Sequence, residues 1–349
     1  MPERVLQLLG PSTGGIRRHV AHLAECLPLL GWSVAVAGPP GVMRGVGPQQ
    51  HDVAVPWGRQ SLKRAAREAD VVHAHGLKAG WLAASLRGGP PVVVSVHNVV
   101  LDEVRGRAAV PLRALERALP RVVDRVIAVS DDIAGRLRAD NVVVIPPAGP
   151  VPRPQQPTDE VRRSLGVGAD DFLVVAVARL HRQKDLPTLI AAVALLAGRG
   201  VPVRLAVVGE GPEEGALRAR IADLGLGGTV VLAGPRPNAA DELAAADAVA
   251  VSSSWESGPL VLVEAMLLGR PVVTTPVGLA PGLVADGETG LLVPIGAPEA
   301  MASALHSLYV DPVRAAALGE AGRKRVEERY GSEALVSRVA DVYRAMLHA

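Results

Sequence analysis

Short runs of β-branched and aliphatic residues alternate with helix-patterned segments along the chain, and this alternation predicts parallel α/β layers. In the first half, strands are expected at Arg4–Leu9, Ser33–Ala37, Val71–Ala74, Pro91–Val96, Arg125–Val129 and Asn141–Ile145. Helices are expected between them, including Ile16–Leu30 and Pro111–Leu119. The second half repeats the scheme, with strands at Phe172–Ala178, Arg204–Val208, Val230–Leu232, Ala248–Val251, Pro271–Thr274 and Gly290–Val293. Its expected helices are Leu186–Arg199, Pro212–Leu224, Asn238–Ala246, Pro259–Leu268 and Pro298–Tyr309. Between the halves, PPAGPVPRPQQPT (Pro146 to Thr158) has the composition of a stiff, extended linker. A length of 349 residues suits two domains of ordinary size. They are placed at residues 1–150 and 158–331, and a last helix, Ser332 to Ala349, has apolar residues at helical spacing.

Composition narrows the functional class. Aromatic residues are 2% of the chain, so both cores must be built from Ala, Val and Leu. A net charge of +2 gives no reason to expect nucleic acid or an anionic bilayer as partner. The lone Cys26 precludes an internal disulfide framework and reads as a small buried hydrophobe. The start, MPERVLQLLGPSTGG, lacks the apolar region of a signal peptide, and no apolar run reaches the ~18 residues of a spanning helix. The expectation is a cytoplasmic protein with at most peripheral membrane contact at the inner face. Oligomeric state stays open.

In open parallel sheets, ligands bind outside the carboxyl ends of strands, where loops meet helix N-termini. Two such sheets facing each other would form a deep cleft for a large ligand. Several motifs sit at such ends. WESGPLVLVEAMLLGRPVV places Glu256 in the loop before a helix and Glu264 within it, with seven residues between the acids. Pro259 suits the first helical position, Ser257 or Gly258 the N-cap, and Gly269 the close. The N–H groups of Leu260 and Val261 have no helical partner and can take an anion or a hydroxyl. Glu264 is flanked by Leu262, Val263, Ala265, Met266 and Leu267, which argues against an ordinary solvated acid.

In ARLHRQKDLPTLI, Arg179 and Lys184 stand between a strand's end and a helix N-terminus, a place for a diphosphate; solvated loop cations are the bland alternative. VVGEGPEE is a Gly-rich turn around Gly209, with Glu214 where the dinucleotide fingerprint has its last glycine. LLGPSTGGIRRHV also misses that fingerprint, and SVAVAGPP ends without the acid that holds an adenosine ribose, which disfavours NAD. Histidines 73, 75 and 97 each sit at or near a strand's end: His97 could bond a sugar hydroxyl or a departing oxygen, and His73 and His75 suit turn-stabilising roles. Neither a zinc-ligand spacing nor a DxD metal clamp is present.

Taken together, GGIRRHVAHLAECLPLLGWSVAV, VVHAHG, VSVHN, VARLHRQKDLPTLIAAV, VVGEGPEEGALR, WESGPLVLVEAMLLGRPVVTT and DGETGLLVP resemble the family-4 (group 1) glycosyltransferases, over essentially the whole chain. The resemblance implies an α/β GT-B architecture: two Rossmann-like doubly wound domains, a deep interdomain cleft, and a C-terminal helix crossing back to the first domain. The first domain would take the acceptor and the second the nucleotide-sugar donor. The implied roles are Arg179 and Lys184 on the donor diphosphate, Glu264 on the ribose diol, and Glu256 on the transferred sugar. His97 would lie near the sugar's C6 hydroxyl, and Gly15 near the donor phosphates or the acceptor. Gly209, Leu260 and Val261 would complete the donor site. The implied reaction is retaining transfer of a hexose-type sugar from a UDP- or GDP-sugar, with no cofactor and no required metal.

Two positions depart from the family pattern: Gly258-Pro259, where an aromatic and glycine are usual, and Gly282, where an acid often stands. An epimerase or phosphorylase of the same fold, or an inactive nucleotide-sugar-binding paralogue, is the alternative. The acceptor (small molecule, glycan or lipid-linked) would be set by Gly38–Arg59 and Val99–Ala109, where Arg105 and Arg107 could attract an anionic acceptor.

Overall fold

The structure, a computed structural model, describes residues 2–11, 14–47, 49–86, 88–98, 109–147, 149–236 and 239–348. The segment 99–108, with Arg105 and Arg107, lies outside these, as does Asn238. The chain forms two compact units, Met1–Pro150 with Tyr330–Ala349, and Val151–Arg329.

The first unit holds seven parallel strands: β1 (Glu3–Leu9), β2 (Trp32–Gly38), β3 (Gln49–Asp52), β4 (Val71–His75), β5 (Val92–Val96), β6 (Arg125–Ala128) and β7 (Val142–Val144). Their spatial order is β3-β2-β1-β4-β5-β6-β7. The second unit holds six: β8 (Phe172–Val177), β9 (Val203–Val208), β10 (Val230–Gly234), β11 (Ala248–Val251), β12 (Val272–Thr274) and β13 (Leu291–Leu292), in the order β10-β9-β8-β11-β12-β13. Both are doubly wound Rossmann-like sheets, in which the direction of winding reverses once. The reversal falls between β1 and β4 in the first sheet and between β8 and β11 in the second.

The sheets form because their central strands are mostly aliphatic and helices cover them on both faces. In β4, β5 and β11 every residue is buried. The helix Leu186–Gly198 buries Leu186, Leu189, Ile190, Val193 and Leu196 against the second sheet. The C-terminal helix, Ser332–Leu347, buries Leu335, Val336, Val339, Ala340 and Tyr343 in the core of the first unit, against Val5, Leu9, Trp32 and Val34.

All twelve strands expected from sequence are present, with ends shifted by at most two residues. Several elements have no named counterpart in the sequence reading, among them the strand β3 and the helix Pro312–Tyr330. The strand β3 is QQHD, polar and fully exposed; it exists by backbone pairing to β2 at the sheet edge, which leaves no hydrophobic signature. The helix Pro312–Tyr330 buries mostly small residues, Ala315, Leu318, Gly319, Gly322 and Val326. A Cβ at Gly319 would stand 2.1 Å from the Gly269 carbonyl oxygen, so this helix packs by absence of side chain rather than by an aliphatic stripe.

Candidate functional site

At the reversal of the second sheet, β8 runs into the loop bearing Arg179 and Lys184, and β11 into Ser252–Pro259. Hydrogen bonds stitch these loops together. The Ser252 hydroxyl donates to the Lys184 carbonyl (2.8 Å), the Ser254 amide to the Gln183 carbonyl (2.9 Å), and Gln183 Nε2 to the Trp255 carbonyl (2.8 Å). The Thr275 hydroxyl, from the end of β12, donates to the Ser253 carbonyl (2.6 Å). Within this frame Lys184 Nζ is ion-paired with Glu256 Oε1, which also accepts from the Ser253 hydroxyl (2.7 Å). The Glu256 side chain is only 9% exposed and that of Lys184 21%, so solvent screens the pair weakly.

Lys184 ends a single 3-10 turn, Arg182–Lys184, and Asp185 follows in the left-handed region (φ +43°). A non-glycine residue there costs about 1–2 kcal/mol. The Thr188 hydroxyl, donating to Asp185 Oδ2 at 2.7 Å, and the Thr188 amide, donating to the Asp185 carbonyl at 3.1 Å, hold it in place. The loop is thus bent sharply into the Leu186–Gly198 helix. Arg179 is exposed and makes no ion pair among the described residues. Gly209, at the end of β9, has φ +143°, and a Cβ there would stand 1.9 Å from the Ala178 carbonyl oxygen. Gly211 approaches the Leu180 carbonyl similarly, at 2.3 Å. The glycines of VVGEGPEE therefore let one loop lie flat against the backbone either side of Arg179.

Pro259 is the N-cap of the helix Leu260–Leu267, one position earlier than the sequence placed it; its ψ of 91° keeps it outside the helix. Leu260 and Val261 are the first two helical residues, so their N–H groups lack a carbonyl four residues back. Glu264 is on this helix and is 6% exposed. Gly269 (φ +66°) closes it in a Schellman motif: its amide donates to the Met266 carbonyl (2.9 Å), and that of Arg270 to the Ala265 carbonyl (3.0 Å). Glu256, Leu260, Val261 and Glu264 thus come from one loop-helix segment, and Lys184 is brought to it from another.

Gly15 and His97 belong to the first unit. Gly15 opens the helix Gly15–Cys26, but the unusual backbone is at its neighbour, Gly14 (φ +74°). His97 follows β5, is 4% exposed, and its Nε2 lies 3.1 Å from His75 Nδ1. The ring of His19, from the Gly15–Cys26 helix, lies edge-on to His97, with centroids 5.3 Å apart. His73 and His75 are not turn residues. Both lie within β4 with buried side chains, His73 between Tyr343 Oη (2.6 Å) and Ser95 Oγ (2.7 Å), His75 between His97 and Gln7 Oε1 (2.7 Å). Burial holds the imidazoles of His73, His75 and His97 well below the usual range, so all three are neutral at pH 7.

Nitrogens of His19, His75 and His97 lie within 4.8 Å of one another, a grouping that sequence spacing did not reveal because the residues come from three separate elements. Sequence reasoning also passed over Ser253, Gln183, Gln7 and Gly278. A Cβ at Gly278 would stand 2.5 Å from the Glu256 carbonyl oxygen. Gln7, an amide in the middle of the aliphatic run VLQLL, was a visible signal.

Known proteins resemble this chain in sequence and in fold. The model for glycosyl transferases group 1 matches residues 157–325, and that for Glycosyltransferase Family 4 matches residues 13–148. The D-inositol 3-phosphate glycosyltransferase of Segniliparus rotundus is 34% identical over 313 residues, covering 83% of this chain and 69% of its own. The N-acetyl-alpha-D-glucosaminyl L-malate synthase of Bacillus anthracis is 28% identical over 184 residues, 53% of this chain and 48% of its own. Among solved structures, Anabaena HepE in complex with UDP and glucose superposes with a TM-score of 0.86 at 22% identity, over 98% of this chain and all of that one. Sucrose-phosphate synthase from Thermosynechococcus elongatus gives 0.82 at 24%, over 99% and 100%. The chain belongs to the group 1, family 4 glycosyltransferases and has their GT-B fold.

Proposed function

We propose that this glycosyltransferase moves a hexose-type sugar from a nucleotide diphosphate sugar, with UDP as the nucleotide, to an acceptor hydroxyl with retention of configuration and without a metal. The observation that carries the reading is the Lys184–Glu256 pair, held between the loops that follow β8 and β11, the second of which leads into the Leu260–Leu267 helix. The ammonium and the free N–H groups of Leu260 and Val261 suit a diphosphate. Arg179 and Lys184 supply positive charge as the leaving nucleotide becomes more anionic, and such preorganised charge lowers the barrier. Glu256 then takes hydroxyls of the sugar as Lys184 turns to the phosphates, and Glu264 takes the ribose diol. Gly209 shapes the loop against Arg179, Gly15 opens the loop facing phosphate or acceptor, and His97 accepts from a sugar hydroxyl.

The relatives named for D-inositol 3-phosphate glycosyl transfer make inositol 3-phosphate the first acceptor to try. The test is sugar transfer and donor hydrolysis with UDP-glucose, UDP-N-acetylglucosamine and GDP-mannose, in the presence and absence of EDTA, for the wild type, Lys184→Ala and Glu264→Ala. The reading expects turnover by the wild type that survives EDTA, an anomer of unchanged configuration, and large losses in both variants. Equal rates in all three proteins would overturn it.

A further inference from the structure

Six side chains of the first unit form one unbranched chain of hydrogen bonds through its interior: Ser95, His73, Tyr343, Gln7, His75 and His97. Every member is buried, and the separations run from 2.6 to 3.1 Å. A neutral imidazole carries one proton on two nitrogens, so the direction of one bond fixes that of the next. The Gln7 amide sets the polarity. With the amide placed Nε2 toward Tyr343 Oη (3.0 Å) and Oε1 toward His75 Nε2 (2.7 Å), the proton in the contact with His75 is on His75 Nε2; the amide turned over would reverse every bond of the chain. His75 Nδ1 is then bare, and the proton between the two histidines belongs to His97 Nε2. In the other direction Tyr343, having accepted from Gln7, gives its own proton to His73 Nδ1, and His73 passes Nε2–H to Ser95.

We propose that Tyr343, Gln7 and His75 form a tautomer lock that keeps the proton of His97 on Nε2 and presents His97 Nδ1 as a bare acceptor for a substrate hydroxyl. The substrate half of this rests on the reading of His97 as a sugar contact; the lock itself does not. Tyr343, Gln7 and His75 are positioning residues. The arrangement explains why an amide interrupts the aliphatic run of β1, and why the C-terminal helix sends a hydroxyl rather than a phenyl ring into the core against Trp32. Without the lock, His97 exchanges between tautomers, and the one with Nδ1–H meets a hydroxyl as a donor instead of an acceptor. No described residue bonds to His97 Nδ1.

The test uses the full chain labelled with 15N at histidine, observed by long-range 1H–15N correlation near pH 7, together with steady-state kinetics on whichever nucleotide sugar the wild type accepts. In the wild type both His75 and His97 are expected as Nε2–H tautomers. In Tyr343→Phe, which keeps the ring against Trp32, and in Gln7→Met, His97 becomes a mixture. In both variants kcat falls about tenfold, equivalent to about 1.4 kcal/mol, while donor KM stays within about twofold. The lock is overturned by an Nδ1–H or doubly protonated His97 in the wild type, or by an unchanged tautomer in both folded variants. It is also overturned by bound zinc with no N–H between His75 and His97, since a metal would use those same nitrogens. An altered tautomer with unchanged kcat overturns the positioning role. A wild type that turns over no donor removes the substrate reading, and the spectra then judge the lock alone.

Discussion

The two sheets share one winding scheme but bring opposite chemistry to their reversal points. In the first, β1 and β4 present Gln7, His73 and His75, all uncharged at neutral pH and buried, Gln7 bonded directly to His75 and through Tyr343 to His73. In the second, β8 and β11 give way to loops that carry Arg179, Lys184 and Glu256, with Lys184 and Arg179 still partly in solvent. The difference follows from what burial costs: a neutral hydrogen-bonded network survives in a core, whereas an ion needs a partner and access to water or ligand. Strand order alone therefore fixes where a ligand can sit, and the residues at the loops decide whether it is met by charge or by hydroxyl-scale hydrogen bonds.

The largest effect that could break this contrast is at Lys184. Lys184→Ala is expected to lower the transfer rate ~10²–10³-fold, the usual loss when one preorganised charge or donor is removed from a transition state. It also leaves Glu256 Oε1 with Ser253 as its one remaining described donor. That costs about 1–3 kcal/mol of stability, because the carboxylate stays buried without its cation. Lys184→Ala/Glu256→Gln is expected to regain the stability but not the rate. Full turnover in Lys184→Ala would show that charge at the second reversal point is structural.

A smaller contrast concerns the glycines that shape the two loops. Gly209→Ala forces a Cβ into the Ala178 carbonyl at a positive φ and is expected to destabilise the protein by about 3 kcal/mol. Gly14→Ala carries the backbone penalty alone, about 1–2 kcal/mol, since nothing lies within 4 Å of its Cβ position. Urea unfolding of both variants measures the difference. Equal losses would mean that the close approach at Gly209 relaxes easily.

Acid should separate the units. Burial depresses the folded-state pKa of His73, His75 and His97 below their unfolded value, so the unfolded chain binds more protons. Their stabilising contribution is complete above about pH 6.5 and declines as pH falls below it, by up to about 1.4 kcal/mol per pH unit for each imidazole. In the second unit Asp171 is held below the usual carboxylate range, chiefly by the Gly168 amide and then by Arg204. Its contribution is present above about pH 3.9 and disappears only as pH falls lower. Hydrogen exchange followed separately in each unit is expected to show the first loosening at the higher pH. Simultaneous loosening would blur the contrast between a neutral and a charged centre.

How far these features can be read from sequence depends on whether they leave a local pattern. Buried parallel strands do, as continuous runs such as FLVVAV, and so do helix stops such as Gly269 before Pro271. The pair Lys184 and Glu256 could be nominated one by one from strand ends, but their mutual contact depends on β8 and β11 being neighbours, a fact of topology that no spacing states. The histidine network is harder still. Gln7, His73, Ser95 and Tyr343 are drawn together from three strands and the last helix, and Tyr343 looks in sequence like ordinary packing. β3 had no apolar signature because its only task is to pair at an edge.

The finest of these effects separates the two donors that share one oxygen. Glu256 Oε1 takes both Lys184 Nζ and the Ser253 hydroxyl. In Ser253→Ala the ammonium remains, so kcat/KM is expected to fall about fivefold, near 1 kcal/mol. Made on top of Lys184→Ala, the same change removes the remaining described donor to that oxygen and should cost more stability than it does alone. Residues sharing a partner are typically coupled by about 0.5–3 kcal/mol, which a double-mutant cycle on unfolding free energy resolves. Strict additivity would mean that the hydroxyl and the ammonium do not act on the same carboxylate, and that Glu256 is oriented by its loop rather than by its partners.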